Sequence, residues 1–186
     1  MTASTTEIDY TGITCIPPHD GTLRYVLKKE GKNPLFVIGL NTSTADENNY
    51  DTTVLNAMKI AVAKGFDGFV MFNLYPLRAT DPAELPKTDD QKLLDKNVAA
   101  IQKELGSVAN PTILAAWGTL IEERQYLGEC LRKIVQLPTA QAAKWQHFGD
   151  LTKEGHPRHL SRIWASTDGD SELSKFDIEK YVKSLK

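Results

Sequence analysis

Leu35-Phe-Val-Ile-Gly-Leu40 is an unbroken apolar run, bounded by Asn33-Pro34 before it and by the polar stretch Asn41 to Asn49 after it. A short run of this kind between turn-forming residues suits a strand buried on both faces, the habit of parallel sheets. It is read as the first central strand. Upstream, Leu23 to Lys29 alternates enough for a strand, and Glu30-Gly-Lys-Asn33 reads as a turn that would pair the two antiparallel and leave the earlier one at the edge. Downstream, Val54, Leu55, Met58, Ala61 and Val62 recur at helical spacing between Thr52 and Lys64, and Gly65 stops the pattern. Gly68 to Asn73 is a second apolar strand, followed by a proline-bearing loop over Leu74 to Pro86.

The alternation continues. Leu94, Val98, Ile101 and Leu105 stripe one face of a helix over Gln91 to Leu105 that closes at Gly106. Pro111 to Trp117 is a third strand, Thr119 to Val135 a third helix, Trp145 to Phe148 a short fourth strand, and Lys175 to Leu185 a closing helix after a polar linker at Ser166 to Ser171. Strand and helix in turn predict a three-layer α/β domain: a central, mostly parallel four-stranded sheet with right-handed crossovers, helices on both faces and an antiparallel edge strand. One such domain is expected over residues 1–186, with 1–12 a flexible lead-in and 165–174 a linker to the last helix. Ligands of open sheets bind beyond the carboxyl ends of the strands, so the segments after Leu40, Phe72, Ala116 and Phe148 are expected to line one cleft.

Composition narrows the function classes. The chain has 186 residues, 41% of them hydrophobic and 25% charged, which fits one globular core and excludes collagen-like and largely disordered readings. No segment approaches membrane-span length and Met1 to Asp9 lacks the features of a secretory signal, so a cytoplasmic protein without membrane contact is expected. Cys15 and Cys130 stand far apart with no CxxC or Cys/His spacing, which argues against a disulfide framework and a structural zinc. A formal charge of -2 gives no global attraction to polyanions, so contact with a nucleotide, a nucleobase or nucleic acid has to come from a local basic patch.

Four segments carry candidate chemistry. After the first strand, Ser43, Thr44 and Asp46 lie in Asn41-Thr-Ser-Thr-Ala-Asp46, and Asp51-Thr-Thr53 opens the helix. These groups either cap the helix and satisfy loop amides or meet an anionic ligand, and no Walker or GxGxxG pattern points to nucleoside triphosphates or dinucleotides. After the second strand, Asn73 offers a base edge both donors and an acceptor. Arg78 either binds ligand or pairs with Asp81, for which a structural role is preferred. Trp117 ends the third strand, where core packing is favoured over stacking on a flat ligand.

Lys153-Glu-Gly-His-Pro-Arg-His-Leu-Ser-Arg162 is the basic loop. His156 and His159 can donate to a developing anion there, and Arg158 with its neighbours can take phosphates. Neither a metal site nor a cofactor is implied, and His19 has no functional context.

These strings resemble DUF1643, a family of unknown function from bacteria and phages. The resemblance runs through Arg24-Tyr-Val-Leu27, Asn41-Thr-Ser-Thr-Ala-Asp46, Asp51-Thr-Thr53, Asn73-Leu-Tyr-Pro-Leu-Arg-Ala-Thr-Asp-Pro82, Asn97, Ala116-Trp-Gly118 and Gly155-His-Pro-Arg-His159. Thr42, Thr52 and Leu160 stand where that family usually has proline.

Motif order is also similar, more distantly, to the uracil-DNA glycosylase superfamily, which implies a glycosylase-like fold. It further implies that Gly39-Leu-Asn41 holds an attacking water, that Asn73 reads a base edge and that His159 meets the departing base. Hydrolysis of an N-glycosidic bond needs a held water, an exposed base and a charge-stabilising donor. Two other readings stay open: a non-catalytic nucleotide or nucleobase binder with a regulatory or sequestering role, phage-related in some cases, and metal-dependent phosphoryl chemistry at Asp46 and Asp51.

Overall fold

A computed structural model describes residues 9–18, 20–79, 81–163 and 172–185. In chain order the elements are β1 (Ile13–Ile16), β2 (Val26–Lys29), β3 (Pro34–Thr42), α1 (Thr52–Ala63), β4 (Gly68–Arg78), α2 (Gln91–Leu105), β5 (Thr112–Ala115), α3 (Gln125–Val135), α4 (Pro138–Gln141), β6 (Lys144–Phe148), β7 (Leu173–Lys175) and α5 (Ile178–Ser184). They form an α/β domain around one sheet of order β1-β2-β4-β3-β5-β6-β7. The sheet has seven strands, not four. Parallel β4, β3, β5 and β6 make its centre, and antiparallel strands extend it at both edges.

The apolar runs end up where their hydrophobicity requires. Leu35, Phe36, Val37 and Ile38 are wholly buried in β3, because alternate side chains feed the layers on the two faces. Leu35 and Val37 pack with Val54, Ala57 and Ile60 of α1 on one face, and Phe36 and Ile38 pack with residues of α2, α3 and α5 on the other. Asp51 starts α1 by accepting from the Val54 amide at 2.8 Å, and Asp90 starts α2 by accepting from the Lys92 and Leu93 amides.

Several sequence expectations need correction. β2 does not pair with β3 through the Glu30–Asn33 turn; it runs antiparallel to β4, and β4 lies between them. The turn is held instead by Asp67, whose carboxylate accepts from the Lys32 and Asn33 amides, so the chain after Lys29 passes under the start of β4. β4 does not stop at Asn73 but runs to Arg78, since buried Leu74 and Tyr75 continue the core and Pro76 accepts from the Arg24 amide at 2.9 Å.

The third helix is interrupted. A 3-10 turn at Thr119–Glu123 precedes α3, with Arg124 extended between them and its guanidinium donating to the carbonyls of Ala83, Leu85 and Pro86. Leu120, 40% exposed, lies off the buried stripe of Leu127, Leu131 and Ile134. Residues 173–175, read as linker and helix start, form edge strand β7. His19 and the linker at Ser166 to Ser171 lie outside the described residues. No helix among the described residues is long and apolar enough to cross a membrane.

The topology fixes where a ligand can sit. From β3 the chain crosses by α1 to β4 on one side, then by α2 to β5 on the other, so the connections leaving β3 and β5 diverge. Diverging connections open a crevice above the carboxyl ends of those two neighbouring strands.

Candidate functional site

A cleft of about 590 Å³ occupies this crevice. Asn41 and Ser43 at the end of β3, Asp51 to Val54 at the start of α1, Trp117 to Leu120 after β5, and Thr152, Arg158, His159, Ser161 and Arg162 of the basic loop line it. Of the segments expected at the rim, the one after Phe72 contributes only Ala79, because the extension of β4 carries the chain past the opening.

Asn41 is the penultimate residue of β3, next to an irregularity in its pairing with β4. Its Nδ2 donates to the carbonyls of Ala79 at 2.5 Å and Thr42 at 3.2 Å. Both amide protons are thereby committed to carbonyls, which fixes the side-chain orientation and leaves Oδ1 as its acceptor. Ser43 Oγ donates to Asp51 Oδ2 while Asp51 Oδ1 caps α1. Threonine at Thr52, where proline is usual in the family it resembles, takes the first helical position, one that proline suits. The threonine keeps an amide at the cleft that proline would remove.

His159 comes from across the crevice. Its Nδ1 accepts from the Ser161 amide at 3.3 Å and lies 2.8 Å from Ser161 Oγ. A ring nitrogen that accepts from a backbone N–H carries no proton, so the neutral ring is protonated at Nε2. Burial holds its pKa below the ordinary 6.5; nearby Asp51 opposes that shift and Arg162 adds to it.

The loop carrying this histidine is anchored at three points. Asn56 of α1 donates to the Leu160 carbonyl at 2.7 Å in the core, the Gly118 amide donates to the Pro157 carbonyl at 3.0 Å, and Arg158 Nε donates to the Asp150 carbonyl at 2.9 Å. Gly118 has φ +71° and a Cβ there would lie 3.1 Å from His159 Cβ. Gly118→Ala is therefore expected to cost about 1–2 kcal/mol in backbone strain alone and to displace His159. Urea denaturation reads the first effect, and a moved imidazole resonance reads the second.

His156 lies beneath the cleft rather than in it. It is 3% exposed, and the Trp117 indole donates to the Tyr181 hydroxyl at 2.9 Å, which in turn is hydrogen-bonded to His156 Nδ1 at 2.7 Å. Trp117 borders the cleft but is 0% exposed, packed against Trp145, Phe176 and Tyr181. Burial raises the Tyr181 hydroxyl to about 12, against the lowering effect of the Trp117 hydrogen bond. This relay braces the basic loop from behind.

The remaining candidates lie elsewhere. Asn73 pairs in register with Gly39, is 1% exposed and does not line the cleft; a Cβ at Gly39 would come within 2.7 Å of its Oδ1. Thr44, Asp46 and Arg78 border a separate cavity of about 460 Å³ that shares only Ser43 and Ala79 with the first. Arg78 donates to the carbonyls of Asp20, Ser43 and Ala45, each at 2.9 Å, and Asp81 accepts from the Ala83 amide. Asp46 accepts from the Asn48 and Asn49 amides. Among the described residues no group of three or more His, Cys, Asp or Glu side chains is gathered as for a metal ion.

Several lining groups, Arg24, Leu120 and Thr152 among them, are not marked as ligand contacts by the sequence. Arg24 falls within the stretch Leu23 to Lys29 that reads as a strand, and Leu120 within the stretch that reads as a helix, while Asp51 is legible both as a cap and as a ligand contact. The signal for Arg24 is its place in the Arg24-Tyr-Val-Leu27 string of the family resemblance; by pattern alone a charge on an expected edge strand is usually solvated.

The geometry defines an α/β protein with a polar cleft at the switch point of its sheet. The chain belongs to the DUF1643 family, described as a protein of unknown function, whose model matches residues 24–159. The match includes the cleft-lining residues from Arg24 to His159 but not Ser161 and Arg162. No curated protein and no solved structure matches the chain.

Proposed function

We propose that the cleft takes a nucleobase-bearing ligand and hydrolyses its N-glycosidic bond. The observation that carries this reading is that Asn41 and His159, from loops far apart in sequence, border one cleft with complementary chemistry. Asn41 offers Oδ1 as an acceptor that can orient a water; His159 offers Nε2–H as a donor. A volume of about 590 Å³ is in the range of small-molecule sites.

In the proposed reaction water adds its oxygen to the sugar carbon as the carbon–nitrogen bond breaks. The bonding pair leaves with the base, which accepts a hydrogen bond from His159 as negative charge develops, and the water's extra proton passes to solvent. An amide is a weak base, so turnover is expected to be slow. Base recognition by Asn73 does not enter this scheme, because its side chain is buried beside Gly39.

Incubation with uracil-, hypoxanthine- and alkylated-base oligonucleotides, nucleosides and nucleotides, with released base measured by chromatography, tests the reading. Release that is lost in Asn41→Leu supports it. Tight binding with no release from any substrate replaces it with a non-catalytic binder.

A further inference from the structure

Arg24 is a charged side chain only 2% exposed that borders the cleft. Its Nη1 donates to the Ala45 carbonyl at 2.7 Å, and its Nε is buried with no hydrogen-bond partner. The same Ala45 carbonyl accepts from Arg78 at 2.9 Å, so two guanidinium groups converge on one neutral oxygen. Burial and the neighbouring Arg78 lower the Arg24 pKa to about 10, with Asp51 acting in the opposite sense. A buried cation bonded to one neutral carbonyl beside a like charge is costly unless an anion completes it.

Asp51 acts on Arg24 through its charge but neither hydrogen-bonds nor ion-pairs with it; its carboxylate accepts from Val54 N–H and Ser43 O–H. Beside it, Thr52 and Thr53 bring the first turn of α1 to the cleft, where amides have no partner within the helix. The rim adds Arg158 and Arg162.

We infer that Arg24 and the first turn of α1 form a subsite for a phosphoryl group at the floor of the cleft. This rests on the proposed nucleobase reading and deepens it: the ligand is a phosphate-bearing nucleoside, as a free nucleotide or as part of a nucleic acid, and not a bare base or nucleoside. The phosphoryl group engages the guanidinium and the α1 amides, leaving the sugar–base bond between Asn41 and His159.

Calorimetric titration of the full chain with uridine, uridine monophosphate, inorganic phosphate and a short uracil-containing oligonucleotide without terminal phosphates tests the subsite. The monophosphate is expected to bind about ten- to a hundredfold more tightly than uridine, the worth of one charge-assisted hydrogen-bonded contact, with inorganic phosphate competing. Arg24→Lys, which keeps the charge but not the fork, is expected to erase most of that difference while leaving uridine affinity unchanged.

Preference for the monophosphate over the oligonucleotide identifies a free nucleotide as the source, and the reverse identifies an internal phosphodiester. If Arg24→Lys does not fold, the comparison of ligands on the unaltered protein still decides. Equal affinity for uridine and its monophosphate, or no phosphate-dependent binding, overturns the subsite even if base is released. Retained phosphate preference without base release overturns hydrolysis and leaves the subsite standing.

Discussion

Trp117→Ala is expected to lower the unfolding free energy by about 3–5 kcal/mol, the range for removing a large aromatic from a packed core. The side chain is wholly buried, with ring centroids 5.6 Å from Tyr181, 6.0 Å from Phe176 and 6.4 Å from Trp145. Deletion leaves a void bounded by three aromatic rings held from separate elements, which limits collapse into it. It also removes the donor to the Tyr181 hydroxyl and so disturbs the bond between Tyr181 and His156. Trp117→Phe separates the two effects. It retains most of the apolar area but loses the N–H and part of the ring, so a smaller cost of about 1–2 kcal/mol is expected. Urea denaturation of both variants checks the pair, and a loss below about 1.5 kcal/mol for alanine would contradict the packing described.

The parts of the fold that were legible in the sequence are those where one physical demand dominates. Leu35 to Leu40 had to be a doubly buried strand, and the stripe of Leu94, Ile101 and Leu105 had to face a core, because nothing else accommodates those side chains. Pairing was less legible. The strand before Leu35, expected at the edge beside β3, instead lies between β1 and β4, a choice made by Asp67 gripping the Lys32 and Asn33 amides from a distance in sequence that local patterns do not encode.

The site divides the same way. Asn41, Ser43, Trp117, Arg158 and His159 reach the cleft because they follow the ends of central strands or sit on the long basic loop, positions the α/β alternation defines. Asn73 met the same positional rule, but β4 continues past it and turns it into a buried residue beside Gly39. Arg24 had no rule to announce it: its place depends on the unforeseen β2–β4 pairing, which carries the start of β2 alongside the end of β4.

The His159→Ala variant is expected to reduce base release by about a hundred- to a thousandfold, the usual loss when a preorganised donor to a developing anion is removed. The argument turns on protonation. With Nδ1 accepting from the Ser161 amide, the neutral ring presents Nε2–H to the cleft, whereas protonation would set an Nδ1–H against the Ser161 N–H and break that cap. Burial, reinforced by Arg162, keeps the folded-state pKa below 6.5, so between that value and 6.5 the unfolded chain binds more protons than the folded one. The stability gained from the neutral ring is therefore present above about pH 6.5 and lost as pH falls through the folded value. Activity is expected to decline over the same acid window as the cap opens. Nitrogen-15 spectra of the imidazoles should show His159 as the Nε2–H tautomer, titrating below 6.5 and more weakly depressed in Arg162→Gln, since Arg162 adds to the lowering. An Nδ1–H tautomer at neutral pH would remove the donor from the cleft and with it the role assigned to this residue. His159→Gln, which keeps a donor at the end of a comparable reach, is expected to retain more activity than alanine, an ordering that simple loss of loop structure would not produce.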